Sequence, residues 1–320
     1  MRRLLWSVAS GVLAASSAVT VAQAGQIVPA HSQDVRRVVS SPISSLVLSG
    51  DYSNVTLRGG RTLSVLAHEE WNLYQPELVV ALRDGVLKVS ISCGRPDGAA
   101  AAVGGGLTDT ANDCVDDLAV TVPAGVDVQA QTGSGNVQST GLHGEQQLRT
   151  GAGDIDLRNG SGTEINVTTG NGDVHVSAVN AGMLDARTDA GDVTVSGVRA
   201  STRVDMTSDN GTLRATDVRA TSVSASTNDG DVLAQAVRAS VVLLRTANGT
   251  IGSQLQTAPE DLTARSDNGD VAVDIPSGRY DVQAGSSSGS VRVTGLTSDP
   301  RSRRHLRAHS GAGDVTIRGG

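Results

Sequence analysis

Along most of this chain apolar residues occupy alternate positions, and the alternation is broken at regular intervals by a glycine. Each glycine follows a Thr or Ser by three residues. Four residues before that hydroxyl the chain places Val128, Ile165, Leu184, Val204, Val223, Val242, Leu262, Val282 and Leu306, with Gln146 as the departure. Two residues after the glycine come Val137, Ile155, Val174, Val193, Leu213, Val232, Ile251, Val271, Val291 and Val315. Period-two alternation on both sides of a turn predicts two strands per repeat, each with one face inward. Gly and β-branched residues at this density, with apolar spacing of two, exclude helix.

The turn glycines are Gly135, Gly153, Gly172, Gly191, Gly211, Gly230, Gly249, Gly269, Gly289 and Gly313, spaced by 18, 19, 19, 20, 19, 19, 20, 20 and 24 residues. A period near 19 marks a solenoid, in which each repeat is one coil stacked on the last. The expected fold is therefore all-β: a parallel β-helix of about ten coils, on the order of 50 Å long at one strand spacing per coil. A second corner follows each coil, as at Gly141-Leu142, Gly197-Val198, Ala236-Val237 and Gly295-Leu296.

Residues 38–123 read differently. Short alternating runs at 46–48, 55–57, 63–65, 78–82, 86–91 and 118–122 predict a β-rich N-terminal cap, with Asp84-Gly85 as a hairpin turn. Residues 25–37 read as a flexible leader and 124–320 as the repeat domain. Residues 1–24 read as a signal peptide: Arg2 and Arg3, a short apolar core, then Ala22-Gln23-Ala24 as a cleavage site. No later segment is apolar enough to span a bilayer, so a periplasmic, secreted or cell-surface location is expected. In such a compartment Cys93 and Cys114 are expected to form a disulfide closing the Ala/Gly-rich stretch between them.

The full chain carries 26 basic and 33 acidic residues, a net charge of −7, which argues against nucleic acid as a partner. Phe is absent and aromatics make up 2%, so the core must be built from Val, Ala, Leu and Ile. Each turn glycine is expected at positive φ. The residue after it is Asp154, Asp173, Asp192, Asp231, Asp270 or Asp314 in six repeats. A calcium ladder is the sharper reading of these acids. However, calcium-binding β-rolls repeat every nine residues, and several coils here carry Asn136, Thr212, Thr250 or Ser290 instead. The acids are read as turn chemistry accepting backbone N–H bonds, and no metal or cofactor is expected.

A polysaccharide-cleaving β-helix would want paired catalytic carboxylates and aromatic platforms, and Tyr280 is the one aromatic of the repeats. His305 and His309 lie beside Arg301, Arg303, Arg304 and Arg307 in the longest inter-turn interval, read as a solvated basic loop. The final coil ends Val315-Thr-Ile-Arg-Gly-Gly320 with no helix after it. An open edge there invites self-association.

The lead ending in Val120-Thr-Val-Pro-Ala-Gly125 and the phrases Thr132-Gly-Ser-Gly-Asn-Val137, Thr150-Gly-Ala-Gly-Asp-Ile155 and Thr169-Gly-Asn-Gly-Asp-Val174 resemble a bacterial family of secreted β-strand-repeat proteins that bear an adhesin label without an assigned function. The resemblance implies a parallel β-helix-like fold at the cell envelope and supplies no catalytic residues. The expectation is a non-enzymatic protein with a binding or structural role, its partner an envelope protein or glycan. A self-assembling scaffold and a polysaccharide-active enzyme are the alternatives. Specificity is expected where the corners vary, as in the stretch Ser298 to His309.

Overall fold

A computed structural model describes residues 31–71, 75–92 and 115–320. The signal segment and both cysteines lie outside the described residues. Every described regular element is a strand. From Asp127 onward the strands alternate between two parallel sheets, in register across equivalent repeat positions: Ile165 pairs with Leu184 and Leu184 with Val204 in one sheet, Val174 with Val193 and Val193 with Leu213 in the other. The fold is a parallel β-solenoid.

The inward residues are those the alternation predicts. Ile165, Val167, Val174, Val176 and Val179 of one coil are fully buried, beneath their counterparts Leu184, Ala186, Val193, Val195 and Val198. Small branched side chains suit this narrow interior, where each layer must fill about 4.8 Å of stack height. Gln146, the exception in the pattern, is buried too. Its Oε1 accepts a bond from Ser139 Oγ at 3.1 Å, while its Nε2 has no partner among the described residues.

The second corner turns through a left-handed residue: Gly141 (φ 68), Asn159 (54), Ala178 (52), Gly197 (60), Asp217 (49), Ala236 (54) and Gly295 (70). Side chains are tolerated there where the space is open, which excludes Gly295, where a Cβ would run into the Gly319 carbonyl. A Cβ on Gly197 would approach nothing closer than 3.7 Å.

At the N-terminus six strands form the cap: β1 (His31–Val39), β2 (Ser45–Gly60), β3 (Leu63–Trp71), β4 (Glu77–Arg83), β5 (Val86–Ser92) and β6 (Val115–Pro123). Strand β1 runs antiparallel to β3 from His31↔Trp71 to Val39↔Leu63, so residues 31–37, read from sequence as leader, belong to the sheet. Pairing holds them there, helped by burial of Val35. β4 and β5 form a hairpin through Asp84 (φ 51) and Gly85 (φ 79), two consecutive left-handed residues that match strand twist.

β2 is itself a complete coil. Its first half pairs in parallel with Asp127–Thr132 and its second half with Val137–Thr140. On its other side it pairs with β5 and β6, which form a further layer outside it. The solenoid therefore begins within the region read as a cap. Ile91 stands beside Gly50 and Asp116 beside Ser53, so the corner register of β2 is kept in this outer layer.

The C-terminal end overturns a second expectation. Strands His305–Ala312 and Val315–Gly319 lie between the coil Asp261–Ile275 and the coil Arg279–Thr294, pairing with both. The final coil in sequence is thus an interior layer, and the open edge belongs to the coil before it. Both ends follow one plan: the first and last coils of the chain are each clamped between two others. A terminal coil with both edges bonded resists fraying, which concentrates at chain ends.

Candidate functional site

The repeated corner is the most chemically regular feature of the molecule, and three of its positions form continuous columns along the stack. The first is the glycine column. Eight of the ten glycines lie at φ between 131° and 156°; Gly211 and Gly289 are outside the left-handed region. Positive φ is therefore not the common requirement. The shared feature is close approach: a Cβ on Gly153, Gly172, Gly191, Gly211, Gly230, Gly249 or Gly269 would run into the carbonyl of the glycine one coil before it. Gly313 meets Gly269 in the same way, and Gly289 meets Gly313, following the inverted order of the last two layers.

The second column is the buried hydroxyl three residues earlier. Each donates to a glycine carbonyl of the layer before it: Thr150 to Gly135 (2.9 Å), Thr169 to Gly153 (2.8 Å), Thr188 to Gly172 (2.9 Å), Thr246 to Gly230 (2.8 Å) and Ser310 to Gly269 (2.8 Å). Ser286 donates to Gly313 at 2.7 Å, again against chain order. A carbonyl turned out of the ladder at a corner needs such a donor, since a buried unpaired acceptor costs about 1–3 kcal/mol. Thr188→Val keeps the shape and removes the donor. It should lower unfolding free energy by about 2 kcal/mol in denaturant titration, whereas Thr188→Ser should lose less than half of that.

The third column holds the acids. Asp154 Oδ1 accepts the N–H of Asp173, Asp173 that of Asp192, and Asp192 that of Thr212, each at 2.8 Å. Asp231 accepts both the N–H and the hydroxyl of Thr250, Asp270 the N–H of Asp314, and Asp314 that of Ser290 at 2.7 Å. Backbone donation from Ser290 holds the Asp314 carboxyl below its ordinary range. Asn136 does the same work toward Asp154, and Asn54 toward Asn136. An amide oxygen can accept the same bond, though without the charge of a carboxylate, which accounts for Asn in the column. Among the described residues no cluster of three or more His, Cys, Asp or Glu could hold a metal ion.

Asn54 was missed in the sequence, although Gly50-Asp-Tyr-Ser-Asn-Val55 is a degenerate copy of the corner phrase. Ser53 stands where the repeats have glycine, and Thr132 Oγ1 donates to its carbonyl at 3.0 Å. A buried acid pair was missed as well. Glu69 and Asp116 face each other across β3 and β6, exposed by only 2% and 1%. Both sit at the inward parity of their strands, with Ala67 and Leu118, and that parity was the available signal. Burial pushes the Asp116 carboxyl up to about 7, with Glu69 and Asp117 adding to it. Burial also raises Glu69, opposed by Arg37.

Tyr280 is fully buried in the outermost C-terminal layer, its hydroxyl donating to the Pro276 carbonyl at 2.8 Å and Arg304 lying 5.9 Å from its ring centre. The basic stretch after Asp299 is only partly loop. His305 opens a strand and its Nδ1 lies 3.2 Å from Asp281 Oδ2, because this stretch begins the inserted coil. No described helix is long and apolar enough to cross a membrane.

Fold and corner together define a parallel β-solenoid whose layers are joined through one glycine, hydroxyl and carboxylate corner. The chain belongs to the Toastrack DUF4097 family, whose model matches residues 60–196 and again 164–318. Solved structures to which the chain is similar include an adhesin candidate from Parabacteroides merdae (14% identity, 89% of this chain and 95% of that one, TM-score 0.42) and one from Parabacteroides distasonis (13%, 89% and 96%, 0.39). An adhesin candidate from Bacteroides fragilis is a third (13%, 89% and 96%, 0.33). No curated protein matches the chain.

Proposed function

We propose that this protein is an exported, non-enzymatic solenoid that works by binding a partner, protein or glycan, at the cell envelope. The observation that carries the reading is the use made of the repeated residues. The hydroxyls and carboxylates that recur most regularly are engaged in bonds between coils, as set out above. They build the rod, and recognition falls to the side chains that differ from coil to coil. A long stack of such coils presents an extended rigid surface, the usual working feature of repeat proteins. Export rests on the N-terminal sequence pattern, and an oxidising compartment would favour a bridge between Cys93 and Cys114.

Two measurements test this. A C-terminally tagged full chain, expressed in bacteria and fractionated, should be recovered outside the cytoplasm with its N-terminus at Gly25. Recovery in the cytosol with residues 1–24 intact would overturn export. The purified mature protein should bind immobilised envelope material saturably and yield no product from a panel of envelope and plant polysaccharides. Turnover of any of them would overturn the non-enzymatic reading.

A further inference from the structure

The inverted order of the last two coils leaves Arg279–Ser298 as the end of the stack. Among the described residues, Val291–Thr294 pairs on one side only, with Val315–Arg318. Its neighbour Arg279–Ser286 pairs with the inserted coil and, at Arg279 and Tyr280, with Thr297–Ser298. Val291 and Val293 hold the positions that are fully buried in the interior layers, yet they are 45% and 40% exposed because no layer covers them. The end layer thus offers an open strand edge and an uncovered apolar strip together.

Its charge differs from that of the rest of the rod. Residues 276–320 carry seven Arg against three Asp, while residues 124–275 carry ten Arg against nineteen acids. Arg279 reaches Asp299 at 3.8 Å and Arg318 reaches Asp274 at 3.9 Å. The other tip arginines, Arg292, Arg301, Arg303 and Arg304 among them, have no ion-pair partner among the described residues.

We propose that this tip is a strand-addition site for an acidic, extended segment of another protein. Three features converge on that occupant. Open N–H and C=O groups of an edge strand are satisfied by another strand. The Val291 and Val293 strip takes apolar side chains at alternate positions of such a strand. The unpaired arginines take its carboxylates. A second copy docked tip to tip would set like charges against each other, and the two edge strands at the other end of the rod, β1 with Asp34 against Arg36 and Arg37 and β4 with Glu77 against Arg83, supply no excess acid. Bilayer hydrocarbon cannot satisfy open backbone groups. The proposal deepens the binding reading by naming where the partner docks and its chemistry.

The test uses the mature full-length protein and fluorescein-labelled peptides of alternating Asp and Val, alternating Lys and Val, and a proline-interrupted Asp/Val control. The Asp/Val peptide should bind by anisotropy at least tenfold more tightly than the other two, weakening at least tenfold between 20 and 300 mM salt, in line with rim electrostatics of this kind. The triple variant Arg292→Glu, Arg301→Glu, Arg303→Glu changes exposed residues only and should lose this binding with an unchanged melting curve. Equal binding of the Lys/Val peptide, undiminished binding by the triple variant, or absence of peptide binding would overturn the proposal. So would salt-sensitive pelleting with anionic vesicles, or self-association lost in the triple variant, in place of peptide binding. Envelope binding that survives the triple variant would overturn the tip proposal while leaving the wider binding reading standing.

Discussion

Gly211→Ala should be among the most damaging single-atom changes possible in this protein, lowering unfolding free energy by about 3 kcal/mol or more. The added methyl would overlap the Gly191 carbonyl of the preceding coil and crowd the N–H of Asp192. The obstruction is backbone on a stacked layer and cannot rotate away. Relief requires prising the two coils apart at the corner, and that strains two bonds there: the Thr227 hydroxyl on the Gly211 carbonyl at 3.0 Å and the Ser208 hydroxyl on the Gly191 carbonyl at 2.9 Å. Gly211 is also the instructive choice because its φ is outside the left-handed region, so the loss reports close approach alone. Gly197→Ala at the second corner is the control. There φ is 60° and the space is open, so only the left-handed backbone penalty of about 1 kcal/mol is expected. Equal losses for the two variants in chemical denaturation would refute the stacking explanation.

Asp116→Asn should raise stability at pH 8 and flatten its pH dependence. In the unfolded chain this carboxyl ionises near its ordinary 3.8; in the folded protein burial holds it protonated up to about 7. Below about pH 4 it is protonated in both states and carries no penalty. Between pH 4 and 7 the unfolded chain gives up the proton and the folded protein keeps it, so stability falls as pH rises. Above 7 the loss is complete, on the order of 4 kcal/mol as an upper limit at 1.36 kcal/mol per unit. Glu69, raised by the same burial, acts with the same sign. So does His68, whose pKa is raised by its bonds to Asp34 and Glu70, and whose stabilising charge is lost as pH rises. Urea titrations of both proteins at pH 4, 6 and 8 should therefore converge at the acid end and separate at the alkaline end. Parallel curves across that range would show that Asp116 does not titrate in this window.

Much of this was legible before any coordinates. Alternation and a 19-residue period suffice for a solenoid because a strand has two faces and a stacked coil can bury only one of them. Asp84-Gly85 was readable as a hairpin because consecutive left-handed residues have few chemical solutions. The glycine column was located correctly, and the expected positive φ holds at eight of its ten positions, but the constraint shared by the whole column, close approach of the neighbouring layer, was not read. Positive φ is a local property that a single sequence suggests. A carbonyl arriving from the layer below belongs to a residue about 19 positions away and leaves no local mark. The same distance hid the partners of the acids: each Asp was expected beside its own turn, and each bonds the next coil.

What the sequence by itself determined is the layer: which residues point inward, where the corners fall and which residue types can occupy them. These follow from strand parity and turn sterics within some 20 residues. Only the tertiary structure decided the order of the layers. Because all coils share one pattern, any coil can stack on any other, and the pattern alone cannot say that β2 lies inside β5 and β6. Nor can it say that His305–Gly319 slips beneath Arg279–Ser298. That choice rests on which loops can span which corners and which edges remain unpaired. It clamps both ends of the repeat chain, and it moves the open, basic edge to a coil that the linear order would have buried.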